Sequence, residues 1–419
     1  MPKPNESTSL IPLARLNLVR IFISAGEASG DLYASRVVEA LQRKFPDADF
    51  FGCAGPRMQA AGVRTIVDQR SLAVVGIVEV VRHIPRLYGE FRKLIRAAER
   101  ERPDVAVLTD SPDFNLRLAK KLHARGIPVV YLIAPQAWAW RSGRTKLMSR
   151  VLQHLLCIFP FEEKFFNDHG VATTFIGHPL ARIVKPSMSR ADFCAKFGIA
   201  ESDRIVVLLP GSRHGEVARH LPYLIKATQL ISAGTAAQHI RYVLALPSGF
   251  GVQNTIFWEP LRAASIQVIE GFTWDCLAYA EVALAASGTV TIEAALSGTP
   301  MVTFYRVNEL SWILGRWMVE APFLSMVNLV AGRRVAAELI QKDMTAESIA
   351  AEALRLLEND QARAAMRAEL AEVAAKLASE VDPMETAAQC IERVTAGGKG
   401  MLGVENVGVR NLGAKKSEQ

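Results

Sequence analysis

The chain of 419 residues is too long for one ordinary core and fits two domains, and half of its residues are hydrophobic. Its net charge of +7 suits an acidic partner: a nucleotide, a phosphorylated substrate, nucleic acid or an anionic membrane surface. The five cysteines are scattered without CxxC spacing, which favours reduced thiols over a zinc site or a disulfide framework. No apolar stretch reaches the roughly 18 uncharged residues that a membrane-spanning helix needs, and no secretion signal is predicted.

The first predicted strand, 20–25, follows a loose extension at 1–18 and ends in a glycine-rich turn at 26–31. The turn has GxxxG rather than GxGxxG spacing and lacks a P-loop lysine, so a dinucleotide cofactor is poorly supported. Ser29 and the backbone could hold a phosphate or a sugar, and Glu27 could hold a hydroxyl. Glycines used for close packing explain the turn equally well. A helix is predicted at 32–45.

Asp47 and Asp49 form the DxD pattern of metal-dependent sugar transferases. They precede a predicted strand at 50–53, whereas ligand sites of open α/β sheets lie beyond the carboxyl ends of strands. We therefore predict no metal at this pair.

Residues 72–87 carry more apolar side chains than one helix face needs, and a strongly basic segment follows up to residue 102. An over-apolar helix beside a basic one could lie on an anionic bilayer or contact acyl chains. A core helix next to a solvated helix fits the pattern equally well. The candidate contact residues are Val74, Val75, Ile77, Val78 and Val81.

Polar residues follow the predicted strand at 105–109, where an α/β sheet keeps its chemistry. They are the carboxylates Asp110 and Asp113 and the amide Asn115. One carboxylate could act as a general base towards a sugar hydroxyl, and the other could cap the helix predicted at 116–125.

Two tryptophans, Trp138 and Trp140, follow the predicted strand at 129–134. They could stack on a sugar or close the core, and the core is favoured. His178 precedes a proline in a turn and is interpreted as structural. We set the domain boundary near 185, with a first domain at 19–185 and a second at 186–378.

The second domain repeats the alternation of strands and helices, which implies a second doubly wound parallel sheet. Its predicted strands are 205–209, 242–246, 266–269, 282–286 and 301–304.

The first of these strands ends in a Pro-Gly turn followed by Arg213 and Glu216. Exposed backbone N–H groups at such a helix start bind anions, and the guanidinium fork suits phosphate. Taken alone, this motif favours phosphate binding only slightly over an ordinary turn with a surface arginine.

A second polar turn, Ser287, Gly288 and Thr289, follows the strand at 282–286. Gly288 permits close backbone approach and Thr289 lies near a helix start, which together suit a pyrophosphate. Glu293, one turn further, is placed to accept hydrogen bonds from ribose hydroxyls. Because this turn faces Arg213 in a doubly wound sheet, nucleotide binding is favoured over a plain helix cap. Beyond Asn328, helices are predicted at 346–377 and 384–394, and a disordered tail at 396–419.

Taken together, the motifs resemble the lipid-A-disaccharide synthase family of membrane-peripheral glycosyltransferases. They occur in family order over about residues 20–395, and their order and number make the match specific. The matching segments are 26–31, 55–58, 75–76 with 79–80, 111–115, 138–140, 177–179, 209–213, and 287–289 with Glu293.

The resemblance implies an inverting glycosyltransferase that moves a 2,3-diacylglucosamine from UDP to the 6-hydroxyl of 2,3-diacylglucosamine 1-phosphate. The products are UDP and the β-1,6-linked lipid A disaccharide 1-phosphate. The implied fold is the GT-B type, two Rossmann-like doubly wound parallel-sheet α/β domains with a C-terminal helix, 379–395, crossing back to the first domain. The family needs no metal, and no cofactor is expected.

The resemblance also implies partners and a location. Expected partners are UDP-2,3-diacylglucosamine, the 1-phosphate acceptor and an anionic membrane surface, without nucleic acid, and a homodimer stays open. The expected location is cytoplasmic and peripheral, on the inner face of the inner membrane of a Gram-negative-type bacterium.

Within that reaction we expect Asp113 to be the general base, with Asp110 as the runner-up, and Arg213 to stabilise the leaving UDP. The expected UDP-sugar contacts are Arg213, Glu216, Ser287, Gly288, Thr289, Glu293 and Asn328. The expected acceptor contacts are Glu27, Ser29, Asp110 and Asn115.

Two alternatives remain at this point. Another GT-B UDP-sugar enzyme, such as a UDP-N-acetylglucosamine 2-epimerase or a cell-wall precursor transferase, fits the nucleotide half equally well but leaves residues 74–102 unexplained. A non-enzymatic nucleotide- or nucleic-acid-binding protein is suggested by the charge, but the interleaved aromatic and basic residues of single-strand binders are absent.

Overall fold

The computed structural model describes residues 18–72, 77–138, 142–234, 239–308, 312 and 321–397. Its strands form two separate sheets, in which every strand pair is parallel. The expectation of two doubly wound α/β domains is therefore confirmed.

The first domain is built on a seven-stranded sheet. The strands are β1 (Arg20–Ala25), β2 (Asp49–Ala54), β3 (Arg64–Asp68), β4 (Val105–Thr109), β5 (Val129–Leu132), β6 (His154–Cys157) and β7 (Thr173–Phe175). The helices are α1 (Ala28–Lys44), α2 (Pro56–Ala60), α3 (Ile77–Glu101), α4 (Pro112–His123), α5 (Thr145–Val151), α6 (Pro160–Asp168) and α7 (Leu180–Ile183). The strand order is β3-β2-β1-β4-β5-β6-β7.

The second domain is built on a six-stranded sheet. The strands are β8 (Arg204–Leu209), β9 (Ile240–Leu246), β10 (Gln267–Glu270), β11 (Val282–Ala286), β12 (Met301–Tyr305) and β13 (Ala337–Ile340). The helices are α8 (Arg190–Phe197), α9 (His214–Gly234), α10 (Trp258–Ala263), α11 (Thr273–Tyr279), α12 (Val290–Leu296), α13 (Met326–Ala331), α14 (Ala346–Glu358) and α15 (Asp360–Leu377). The strand order is β10-β9-β8-β11-β12-β13.

Both sheets reverse their strand order beside their own first strand, between β1 and β4 and between β8 and β11. The central strands are continuous apolar runs, because helices cover both faces of a parallel sheet. All five residues of β4 and all five of β11 are buried. Ligands of open α/β sheets bind at the carboxyl side of such a reversal, so the fold prepares one site in each domain.

A last helix, α16 (Pro383–Gly397), packs on α1 of the first domain. Lys44 Nζ lies 2.9 Å from Glu392 Oε2 and 3.6 Å from Glu385 Oε1. The segment leading to α16 touches the end of the first domain, where His178 N donates to Leu377 O at 2.8 Å. The expected C-terminal helix that crosses back is therefore confirmed.

The start of α1 is tied to α2 by a buried carboxylate. Asp31 accepts hydrogen bonds from the backbone N–H groups of Gly55 (3.0 Å), Arg57 (2.9 Å) and Met58 (3.1 Å). A carboxylate at a helix N-terminus satisfies amide donors that have no partner within the helix. This contact brings the segments 26–31 and 55–58 together in space.

Among the described residues, none of the helices combines the length and the apolar character that crossing a bilayer requires. The residues Val74 and Val75 lie outside the described part of the chain. Ile77, Val78 and Val81 belong to α3, and their side chains are likewise outside the description.

Candidate active site

A cavity of about 850 Å³ lies between the two domains, at the carboxyl ends of the strands of the second sheet. Leu209, Ala286 and Tyr305, which end β8, β11 and β12, form part of its wall. The first domain contributes Gln136 and Trp138. The size is that of a pocket for a nucleotide-sized ligand.

The turn between β8 and α9 presents an arginine to this cavity. Gly211 has φ +123°, in the region that favours glycine, and a Cβ there would lie 2.7 Å from Glu216 Oε2. The same oxygen accepts from the N–H groups of Ser212 (3.3 Å) and Arg213 (3.4 Å). Glu216 thus holds the turn, while the side chain of Arg213 is 78% exposed.

The turn between β11 and α12 lies on the adjoining wall. Ser287 is fixed on both sides, since its N–H donates to Phe304 O at 2.8 Å and its hydroxyl to Leu324 O at 2.7 Å. A Cβ at Gly288 would meet nothing within 4 Å, so protein packing does not require glycine there. Thr289 is exposed and makes no side-chain cap. The turn leaves room for a ligand to approach the backbone.

Glu293 lines the cavity one turn further along α12. Its Oε2 accepts a hydrogen bond from Trp274 Nε1 at 2.8 Å. Burial raises the pKa of Glu293, and the tryptophan N–H partly opposes that rise. Burial, with a smaller contribution from the Glu293 carboxylate, raises the pKa of Tyr33 in α1 to about 12.

In the first domain, the end of β4 is tightly bonded to the turn between β1 and α1. Asp110 Oδ1 accepts from Gly26 N at 2.7 Å and Oδ2 from Glu27 N at 3.0 Å. Asp110 and Ser111 have φ values of 51° and 37°, a backbone conformation that is strained for residues other than glycine. Asn115 secures this backbone, since its Nδ2 donates to Thr109 O at 2.7 Å.

Asp113 differs from Asp110 in its surroundings. It lies in the first turn of α4, its side chain is 73% exposed, and it forms an ion pair with the guanidinium of Arg144. Both oxygens of Asp110, by contrast, receive backbone N–H groups. Of the two carboxylates, Asp113 is the more exposed.

Six residues expected to bind the UDP-sugar are brought together at the cavity: Arg213, Glu216, Ser287, Gly288, Thr289 and Glu293. The seventh, Asn328, is not among them. It is fully buried, and its amide bonds the backbone of Val335 (2.8 Å) and Ala336 (2.9 Å) and the carboxylate of Glu338 (2.9 Å). Asn328 thus supports the cavity wall from behind.

The residues expected to contact the acceptor lie at the carboxyl ends of β1 and β4, outside the lining of the cavity. Glu27 and Ser29 are exposed at the start of α1. Asn115 is fully buried and also accepts a hydrogen bond from Ser24 Oγ at 3.0 Å, so its role is internal.

Trp138 belongs to the core and also lies at the edge of the cavity. It is only 8% exposed, and it also lines the cavity. Its Nε1 donates to Glu162 Oε1 at 2.9 Å, and burial raises the pKa of Glu162 to about 8. Trp140 lies outside the described residues.

Two other sequence candidates lie away from the cavity. Asp49 begins β2, at the amino end of the sheet, and pairs with Arg64 at 2.9 Å. His178 is buried, its Nδ1 accepts from Leu180 N at 3.1 Å, and burial lowers its pKa to about 4. Both positions agree with structural roles. The sequence motifs did not identify Trp274. The only sequence feature that could have indicated a role is an aromatic residue shortly after the end of a strand.

Gly30→Ala is expected to lower the melting temperature by about 5 °C or more. A Cβ at Gly30 would lie 1.6 Å from Asp110 Oδ2, so the held carboxylate would have to move. Gly89→Ala is the matched control, because it also lies within a helix and its Cβ would meet nothing within 4 Å. That control should be neutral or stabilising by about 0.5–1 kcal/mol. Equal melting temperatures of the two variants would contradict the packing described here.

Asp110 is expected to make stability depend on pH. Burial raises its pKa from the ordinary value of 3.8 to about 7, against the opposing hydrogen bonds from Gly26 and Glu27. The folded state then binds the proton more tightly than the unfolded state. The protonation of Asp110 therefore stabilises the folded state fully below about pH 4, and this stabilisation is lost as the pH rises to about 7.

The measurement compares the wild type with Asp110→Asn, which cannot titrate at this position. The difference in melting temperature between the two proteins should change by about 2 °C or more between pH 5 and pH 8, in the direction of a relatively less stable wild type at pH 8. Parallel pH profiles would show that Asp110 keeps an ordinary pKa.

Comparisons of fold agree with the strand orders. A glycotransferase of kitacinnamycin has a TM-score of 0.60 at 17% identity, and the match covers 90% of this chain and 98% of that chain. A UDP-GlcNAc 2-epimerase from Neisseria meningitidis, solved bound to UDP-GlcNAc, has a TM-score of 0.58 at 12% identity, covering 90% and 100%. At these identities the likeness shows the fold alone, and the fold is of the GT-B type.

Comparisons of sequence are more specific. Residues 21–391 match the family model described as lipid-A-disaccharide synthetase. A lipid-A-disaccharide synthase of Solibacter usitatus is 56% identical over 378 residues, which cover 90% of this chain and 98% of that protein. That of Koribacter versatilis is 45% identical, covering 86% and 94%. The chain therefore belongs to the lipid-A-disaccharide synthase family.

Proposed function

We propose that this protein transfers 2,3-diacylglucosamine from UDP to the 6-hydroxyl of 2,3-diacylglucosamine 1-phosphate, with inversion at the anomeric carbon. One observation carries the proposal: in a chain of this family, the cavity between the domains gathers Arg213, the 287–289 turn and Glu293 at the carboxyl side of the second sheet's reversal. This is where an open α/β sheet binds a nucleotide.

In the donor site, the bond from the anomeric carbon to the UDP oxygen breaks and the diphosphate gains negative charge. Arg213 is suited to that charge, because its guanidinium is exposed at the cavity and its backbone is fixed by Glu216. The exposed backbone at Gly288 and Thr289 would approach the diphosphate, and Glu293 would accept from the ribose. Such fixed donors stabilise the leaving group without reorganisation during the reaction.

In the acceptor site, the 6-hydroxyl oxygen forms the new bond to the anomeric carbon and its proton passes to a carboxylate. We assign this role to Asp113, because its carboxylate is exposed and its orientation is set by Arg144. Asp110 is the second choice, since both of its oxygens already accept backbone hydrogen bonds. Glu27 and Ser29, exposed at the adjacent turn, would contact the acceptor sugar.

The lipid substrates call for a membrane-facing surface, which we assign to α3 and the segment before it. In the described part of α3, Tyr88 is 61% exposed, and Arg86, Arg92 and Arg96 are exposed. Basic side chains beside exposed aromatic rings suit an anionic bilayer surface, on which acyl chains would be presented to Val74, Val75, Ile77, Val78 and Val81. The enzyme would then act peripherally on the cytoplasmic face of the inner membrane.

The test is a product assay with UDP-2,3-diacylglucosamine and the 1-phosphate acceptor in mixed micelles. We expect UDP release that depends on the acceptor, and a disaccharide 1-phosphate identified by mass. UDP-GlcNAc, incubated alone, tests the epimerase alternative. Conversion of UDP-GlcNAc together with no UDP release from the acylated donor would overturn the proposal.

A further inference from the structure

Glu293 is an incompletely bonded carboxylate in the wall of the cavity. Trp274 Nε1 donates to its Oε2 at 2.8 Å, and the described residues supply no second hydrogen bond to this side chain. Glu216, the other glutamate of the wall, already accepts from the backbone of Ser212 and Arg213. A ligand with hydrogen-bond donors could therefore supply the missing hydrogen bond to Glu293. Glu216 already has backbone donors and needs such a ligand less.

Trp274 acts on this carboxylate from outside the cavity. It lies in the first turn of α11, next to Thr273, which lines the cavity, but Trp274 itself is not part of the lining. An indole N–H can only donate a hydrogen bond, and its direction is fixed by the plane of the ring. The carboxylate must therefore accept from Trp274, and this hydrogen bond restricts its orientation in the cavity wall.

We propose that Trp274 is a positioning residue that orients Glu293 and thereby makes the site select ribose over deoxyribose in the nucleoside diphosphate. The inference rests on the proposed function, in which Glu293 accepts from the ribose. A site that holds a partly buried acceptor for a hydroxyl discriminates against the analogue without that hydroxyl, because the acceptor then loses a hydrogen bond.

The experiment measures binding of UDP, 2′-deoxy-UDP and 3′-deoxy-UDP by calorimetry to the full-length protein. The wild type should prefer UDP over the weaker deoxy analogue by about tenfold. Trp274→Phe keeps an aromatic ring and removes the donor, and it should reduce that preference to about threefold or less. The affinity of this variant for the deoxy analogue should change little, because the analogue lacks the hydroxyl that Glu293 would bind.

Two further variants serve as a positive and a negative control. Glu293→Gln should reduce the preference at least as much as Trp274→Phe. Trp258→Phe, a tryptophan of α10 in the same domain that does not line the cavity, should keep the wild-type preference. If the melting temperature of Trp274→Phe falls, Trp274→Leu, which also lacks a hydrogen-bond donor, is measured and interpreted in the same way.

The outcomes separate this inference from the proposed function. A wild-type preference retained in Trp274→Phe overturns the positioning role. Equal binding of UDP and both deoxy analogues by the wild type overturns the role of Glu293 as well, while transfer activity in the product assay would leave the proposed function standing. If the protein neither binds UDP nor turns over the acylated donor, both the inference and the proposed function are overturned.

Discussion

Asp113→Asn is expected to lower kcat by about 10²–10⁴-fold, because an amide cannot take the proton of the attacking hydroxyl. UDP affinity should stay at the wild-type level, since Asp113 lies in the first domain and outside the cavity lining. The measurement is acceptor-dependent UDP release at saturating donor, with calorimetric UDP binding on the same preparation.

Asp168→Asn is the matched control for this variant. Asp168 is also an exposed first-domain aspartate with a cationic partner, Lys164, and we expect its replacement to leave kcat unchanged. Near-normal turnover in Asp113→Asn would shift the general base to Asp110. In that case Asp110→Asn, tested at a temperature where it remains folded, should lose activity.

Arg213→Ala is expected to lower kcat by about 10²–10³-fold, the usual effect of removing one preorganised donor from a developing negative charge. The guanidinium is exposed and would be drawn to the diphosphate, so the variant should also bind UDP more weakly. Arg213→Lys should recover only part of the activity, because an ammonium lacks the two-pronged geometry.

Steady-state kinetics with varied donor concentration measure both effects of the Arg213 variants. Arg262→Ala, at an exposed arginine of α10 paired with Glu259, supplies the control and should behave as wild type. A variant Arg213→Ala with a raised KM and an unchanged kcat would show that this residue binds UDP without stabilising its departure.

The central strands were predictable from the sequence because burial on both faces demands continuous apolar residues. β4, predicted at 105–109, has those bounds in the structure, and β8 differs by one residue. Edge strands have a weaker signal, although β10 was predicted at 266–269 and lies at Gln267–Glu270. β3 (Arg64–Asp68) has a partly exposed pattern and was not predicted, and neither was β13, in which every residue is only partly buried.

The first helix begins at Ala28, four residues before its predicted start at 32. The residues from 28 to 31 have no apolar periodicity, and their glycine and serine are typical of turns. The helix start instead depends on Asp110, which bonds the backbone of Gly26 and Glu27 from 84 and 83 residues away. Contacts so distant in sequence leave no local pattern.

The candidate site divides in the same way. The position of Arg213 and the 287–289 turn at the cavity could be predicted, because turns that follow the strands of a parallel sheet are recognised from local sequence. The internal roles of Asn115 and Asn328 could not be predicted. The sequence does not distinguish an asparagine that bonds buried backbone groups from one that contacts a substrate. Trp274 was missed because its function passes through another side chain.

The return of α16 to α1 means that the polypeptide passes between the two lobes twice, at neighbouring places. The passages touch, since His178 N donates to Leu377 O and the Arg182 guanidinium donates to Ser379 O. Two chain connections in contact should restrict sliding and twisting of one domain on the other more than a single connection would, so we expect bending to be the easiest motion between the domains. We therefore expect capture of the sugar nucleotide and release of UDP to accompany bending of the second domain towards the first.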